Sequence, residues 1–240
     1  MNAVLLIARR ELRGYLRTMT GWIIAAVLLL IDGLLFNAFA LEGSRRSTEV
    51  LTRFFYFASG PTMVAAIFLA MRLLAEERQL GTLPLLYASP VHDRDIVLGK
   101  FLGALVFLSG LTLATVYMPL LILVHGHISV GHLLAGYLGL LLLGSASLAL
   151  GTLGSSLART QVVAAILGAA VLVSLLVAWL LASVTEPPFS SLFASLALHN
   201  AHFPPFQSGQ VRLRDVAYYL LVTWVALFAT TRVLEARRWR

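Results

Sequence analysis

VVAAILGAAVLVSLLVAWLLASV, residues 162–184, carries no charged side chain anywhere along its length. A hydrocarbon core of ~30 Å takes roughly 20 consecutive apolar residues to cross as a helix. Inside it, only helices and closed barrels satisfy every backbone amide. This stretch therefore predicts a transmembrane helix, and five more runs read the same way. The expected spans are Gly21–Leu41, Phe54–Met71, Phe101–Val124, Leu133–Leu157, Val162–Val184 and Val216–Thr231. Composition agrees: 59% of residues are hydrophobic, 12% are charged, and the mean hydropathy is +0.88, whereas soluble domains sit near half apolar and a quarter charged. Six spans use about half of the 240 residues and leave no room for a second soluble domain of ordinary size. The expected fold class is an all-α integral membrane protein, residues 1–240 forming one transmembrane domain.

Charge orients the spans. Seventeen arginines and one lysine against eleven acids give a net charge of +7. In so apolar a chain that excess points to anionic lipid rather than nucleic acid. With six spans, 13 basic residues fall on the side of the termini and 5 on the other. Cytoplasmic loops concentrate Lys and Arg, so both termini are expected in the cytoplasm, in a bacterial-type inner membrane. Ala38-Phe39-Ala40 resembles a signal-cleavage site. A basic stretch of about twenty residues precedes that run, and the run is long enough to span, so we read it as an uncleaved anchor.

Three segments lie outside the spans. Over residues 2–20, Val4, Ala8, Leu12, Tyr15, Leu16 and Met19 share one helical face and Arg9, Arg10, Arg13 and Arg17 the opposite arc. That is the pattern of an interfacial amphipathic helix with its apolar side toward lipid. Residues 72–100 form the largest cytoplasmic segment, far longer than the usual 2–8-residue connection between neighbouring helices. Within it, Thr82 is placed to cap a short helix at 83–87. Ser89-Pro90 reads as N-cap then first helical position, and Asp93 and Asp95 sit at the positive end of the third span. Residues 185–215 carry Pro187-Pro188, Pro204-Pro205 and the aromatics Phe189, Phe193, Phe203 and Phe206. We expect an outer re-entrant hairpin there.

Most chemistry is excluded. With no cysteine, disulfides, thiolate zinc sites and iron–sulfur clusters are ruled out. The phosphate-binding pattern GxxxxGK[ST] fails, because Phe101 follows Gly99-Lys100 and Arg94 stands where the first glycine belongs. His125, His127 and His132 have no carboxylate or cysteine near them in sequence, so they read as loop histidines rather than a metal site. Glu76-Glu77 resembles the acidic pair of the prenyl-protein proteases (EExxxR), but Gly81 occupies the arginine position. No catalytic residue, cofactor or metal ligand is expected. Asp32 is the one acid within a span, where an ionisable group costs several kcal/mol, roughly 3 on insertion scales, and is functional by default. A buried structural carboxylate is the alternative. Ser147, Gly151 and Ser155, with Ala164 and Gly168, form small-residue stripes for close helix packing.

The segment EERQLGTLPLLYASPVHDRDIVLGK, residues 76–100, resembles the cytoplasmic loop of the ABC type-2 exporter permeases. Glu76, Glu77, Gly81, Thr82, Leu85, Leu86, Pro90, Val91, Gly99 and Lys100 carry the match. Residues 202–239 resemble the subset that includes the gliding-motility (Gld-type) permease subunits. One departure is Pro84, where that family usually has an acid. The resemblance implies a coupling helix within 75–100, with Glu76, Glu77, Gly81, Thr82, Leu85, Leu86 and Pro90 engaging a separate ATP-binding-cassette ATPase subunit. It also implies a second permease chain and export powered by that partner. An ion-coupled transporter and a non-transporting membrane scaffold are the rival readings, with an intramembrane protease behind them.

Overall fold

A computed structural model of the chain describes residues 3–40, 47–82, 91–122 and 129–238. Among the described residues there are helices and no strand. In chain order they are α1 (Ala3–Arg17), α2 (Met19–Leu35) prolonged by a π-helical turn (Phe36–Ala40), α3 (Ser47–Leu73), α4 (Ala75–Gln79), α5 (Asp93–Ala114), α6 (Tyr117–Ile122), α7 (Val130–Leu157), α8 (Gln161–Val184), α9 (Phe189–Leu196), α10 (Pro204–Gln207) and α11 (Leu213–Arg238). Six stretches, built on α2, α3, α5, α7, α8 and α11, are long and apolar enough to cross a membrane. They coincide with the six expected runs but overshoot them at polar ends. α3 begins at Ser47 rather than Phe54, and Glu49 and Arg53 stand one turn apart there at 3.8 Å. α11 continues past Thr231, with Arg232 and Glu235 paired at 3.0 Å. Such pairs support helix beyond the apolar stretch.

Side-chain bonds gather the helix ends into two groups. α1, the end of α3, α4, the start of α5, the α7–α8 turn and the end of α11 meet at what we term the terminal end. The π-helical turn, the starts of α3, α7 and α11, and α9 and α10 meet at the opposite end.

Between helices in lipid there is no hydrophobic drive, so close packing has to hold them. α3 and α7 form the centre: 72% of the apolar stretch of α7 and 61% of that of α3 is buried, against 22% for α8 and 28% for α2 and α11. The glycines of α7 make this possible. A Cβ on Gly136 would stand 2.1 Å from the Phe55 ring, and one on Gly139 would stand 2.5 Å from Phe206. The small-residue stripes pack against each other within the chain, since a Cβ on Gly154 would meet the Gly168 backbone at 2.5 Å.

Within the segment 185–215, expected as an outer re-entrant hairpin, the chain forms two short helices, α9 and α10. α9 packs on α8, and α10 packs on α7 and α3. Phe203 and Phe206 are fully buried, while Phe189 is 62% exposed. His132 bonds the Gln207 carbonyl at 2.5 Å, and His202 bonds Asp215 at 2.7 Å. His125 and His127 lie outside the described residues. Among the described residues no group of three metal-ligating side chains occurs.

Candidate functional site

The terminal end is where the sequence placed the candidate site, and it is built around a break in one helix. α3 stops at Leu73 and α4 restarts at Ala75. Ser155 of α7 fills the gap. Its hydroxyl donates to the Met71 carbonyl (3.1 Å) and accepts from the amides of Leu74 (3.1 Å) and Ala75 (3.0 Å). One donor and two acceptor sites are the whole capacity of a serine hydroxyl, so this one hydroxyl is saturated by the break.

α4 ends in a Schellman turn. The Gly81 amide reaches the Arg78 carbonyl (3.1 Å) and the Thr82 amide the Glu77 carbonyl (2.9 Å). Gly81 has φ +70°, which a residue without Cβ adopts at no steric cost. The Gly-Thr signal thus marks the sharp turn out of α4. Thr82 also donates its hydroxyl to the Glu77 carboxylate.

The two acids are held by cations of this chain. Arg72 binds Glu76 with two bonds, Nε–Oε2 at 2.8 Å and Nη2–Oε1 at 3.1 Å, the strong fork geometry. Lys100, at the first turns of α5, lies 3.0 Å from Glu77 and 3.2 Å from Glu11 of α1. Only 6% of its side chain is exposed. One ammonium therefore ties α1, α4 and α5 together. On the other flank, Arg78 donates to the Ala158 carbonyl (2.6 Å) and Arg237 to the Leu157 carbonyl (3.0 Å), which fastens α4 and α11 to the α7–α8 turn.

α1 lies across α5 on a glycine pair, Gly99 and Gly103. A Cβ on Gly99 would stand 2.7 Å from Ile7 Cβ, and one on Gly103 would stand 2.7 Å from the Ala8 carbonyl and from Glu11 Cβ. The arc holding Val4, Ala8 and Leu12 therefore rests on protein, where the sequence reading had it facing lipid. The arginine arc stays exposed. Tyr15 is the plug: it is buried, donates to the Leu69 carbonyl (2.9 Å) and stacks on Phe107 (centroids 5.2 Å). Burial, then the Glu11 charge, pushes its hydroxyl above the usual range, so it remains a neutral donor. Gly21 lets α2 turn against it, since a Cβ there would fall 2.0 Å from the Tyr15 carbonyl.

Of the sequence-selected residues, the structure brings Glu76, Glu77, Gly81 and Thr82 together. Leu85, Leu86 and Pro90, with Leu83 and Ser89, lie outside the described residues. Asp32 is elsewhere, on the inward stripe Gly21, Ala25, Leu28 and Asp32 of α2. It is 3% exposed, and its Oδ1 has no hydrogen-bond partner among the described residues. Sequence reasoning missed Glu11, Arg72, Gly103 and the pairing role of Lys100. Two signals were present: Lys100 is the single lysine among seventeen arginines, and Gly99 and Gly103 form a GxxxG pair.

A family model described as ABC-2 family transporter protein matches residues 5–231. The comparison with curated proteins gives no match.

Proposed function

Because the chain belongs to the ABC-2 family of transporter proteins, we propose that it is the membrane-spanning permease subunit of an exporter driven by a separate ATP-binding-cassette ATPase. In this reading it lies in a bacterial inner membrane with both termini in the cytoplasm, and the terminal end faces the ATPase. A second permease chain completes the pathway. The run at 202–239 supports a place near the Gld-type subunits.

The observation that carries the reading is the double anchoring of the segment 75–100. Its first flank, α4, is held by Ser155, Arg72 and Lys100, and its second flank, α5, by Lys100 and α1. A push delivered at either flank would therefore pass into α3, α5 and α7. Leu83, Leu85 and Leu86 supply the apolar contact, since a few such anchors carry most of the energy of an interface. Glu76 and Glu77 act by shaping that segment, because their charges are already engaged inside the chain. The gradient-driven alternative rests on Asp32 and its unpartnered oxygen.

The test is co-purification. Leu86→Asp and Leu85→Asp are expected to insert and fold, yet to lose the ATPase or its stimulation. His127→Ala, on the other side, serves as control. Full ATPase recovery with normal coupled hydrolysis in both variants would sink the proposal.

A further inference from the structure

Two cavities on one flank of the bundle share a border. The first, of about 410 Å³, is a slot between α2 and α3 whose lining is apolar throughout, Ile24, Val27, Ile31, Val64 and Phe68 among it. The second, of about 360 Å³, lies toward the opposite end, where Tyr56, Ser59, Trp179, His199 and Asn200 face it. Leu35 and Pro61 belong to both linings, so the slot and a mouth carrying polar groups adjoin there. The sequence explains the gap. Pro61 within α3 removes one amide and crowds the preceding turn. Gly60 beside it has no side chain, and a Cβ there would meet nothing within 4 Å.

The mouth is ordered and uncharged. Ser59 and His199 are buried, Nδ1–H of His199 donates to the Asn200 amide oxygen (3.1 Å), and the Ser59 hydroxyl proton is shared between Nε2 of that ring (2.8 Å) and the Tyr56 carbonyl (2.6 Å). Burial lowers the His199 pKa from 6.5, against the Asn200 bond that raises it, so the imidazole is neutral at pH 7. Among the described residues, no acidic or basic side chain other than this histidine lines the mouth. The Tyr56 hydroxyl and the Trp179 indole N–H are left for a ligand, on side chains about half exposed.

We propose that slot and mouth together seat one amphipathic molecule, an alkyl or acyl chain bearing an uncharged, hydroxyl-rich head of the glycoside type. Ile23 and Leu35, at the slot's two ends, are twelve residues apart, about 18 Å along a helix. That is close to the chain depth of one leaflet, half of ~30 Å. The faces of Tyr56, Phe57 and Trp179, with hydroxyl, indole and amide groups at their edges, offer flat apolar contact plus hydrogen bonds, the combination that orients a polar ligand in an apolar site. A phosphate or ammonium head would enter without a counter-charge, which is costly. That the occupant is cargo rests on the transport reading; that it binds does not.

The experiment is photolabelling of the full chain in membrane vesicles with all accompanying subunits. The probes are a diazirine-bearing dodecyl glucoside and a diazirine-bearing dodecyl phosphate. The glucoside is expected to label the slot lining, to be displaced by untagged dodecyl glucoside, and to label roughly tenfold more than the phosphate, equivalent to ~1.4 kcal/mol. Gly60→Phe, whose ring enters the mouth, should cut that labelling about tenfold with the melting temperature unchanged. Val64→Trp, filling the slot, should do the same. Equal labelling by both probes, indifferent to Gly60→Phe, would make the groove plain lipid-facing surface and overturn the proposal. So would absence of label together with a disulfide between two copies at Val64→Cys, the sole thiol in a cysteine-free chain, because a second permease chain would then cover this face. Labelling that persists in Leu86→Asp while coupling there is normal would refute ATPase coupling and leave the ligand site standing.

Discussion

Replacing Lys100 with methionine keeps the stem and removes the charge that joins three elements. At an effective dielectric near 20, unit charges 3.0–3.2 Å apart attract by about 5 kcal/mol. Desolvating an ammonium with 6% of its side chain exposed offsets much of that. Removing one partner of a buried pair nevertheless costs ~3–5 kcal/mol, because the remaining charge is stranded. Glu77 and Glu11 keep 18% and 20% of their side-chain surface, so water relieves part of the penalty and the lower value, about 3 kcal/mol, applies. For a chain of this length that is a fall of roughly 6–12 °C in melting temperature, readable by thermal unfolding in nanodiscs. A double-mutant cycle identifies the cause. Glu77→Gln should destabilise the native protein but be neutral or favourable beside Lys100→Met, with a coupling of about 1–3 kcal/mol. The same cycle with Glu11→Gln reports the contact to α1. If Lys100→Met melts within ~2 °C of wild type and both cycles are additive within ~0.5 kcal/mol, the ammonium does not hold α1, α4 and α5 together.

Gly103→Leu should force α1 off α5 at a cost of about 1–3 kcal/mol and expose its first residues to protease, while Gly60→Ala, with open space around it, should not destabilise. His199 has its pKa lowered in the folded state, so the unfolded chain takes up the proton first. Its contribution is intact above ~6.5 and is lost as pH falls from there toward the lowered value; the wild-type stability slope in that window should flatten in His199→Gln, and an unchanged slope would refute this. Asp32→Leu relieves a buried carboxylate with an unpartnered oxygen and should leave stability equal or higher by ~1 kcal/mol; a matching loss of transport would mark Asp32 as functional, whereas intact export would mark it as structural. Reporter fusions at Arg240 and after Val184 should read cytoplasm and outside respectively, and an outside reading at Arg240 would break the six-span topology.

The spans were legible because lipid imposes a harsh, local rule: residues such as Val162–Val184 admit no charge, and that is visible within one window. Their polar ends were not, since the pair Glu49–Arg53 extends α3 by an interaction that hydropathy does not score. The ionic cluster around α4 was legible by residue type but not by partner. Lys100 meets Glu77 across 23 positions and Glu11 across 89, and no periodicity connects residues so far apart. Gly81 was recognisable as a turn, but α4 before it is only five residues long, too short for a 3.6-residue period to show. The two stacked arcs of α1 were plain in sequence. What covers the apolar one was not, because a bilayer surface and a glycine-paired helix want the same pattern.

That ambiguity has a counterpart in the order of synthesis. The groove that receives α1, Gly99 to Gly103, is translated some ninety residues after Val4, a delay of roughly 5–20 s at ordinary ribosome speeds. In that interval Val4, Ile7, Ala8 and Leu12 have no protein to rest on, and the membrane surface is the only apolar medium within reach. Arg9, Arg10, Arg13 and Arg17 would hold the nascent helix there if that surface carries anionic lipid. The amphipathic pattern thus describes where the helix waits, and the glycine pair describes where it goes when the third span emerges.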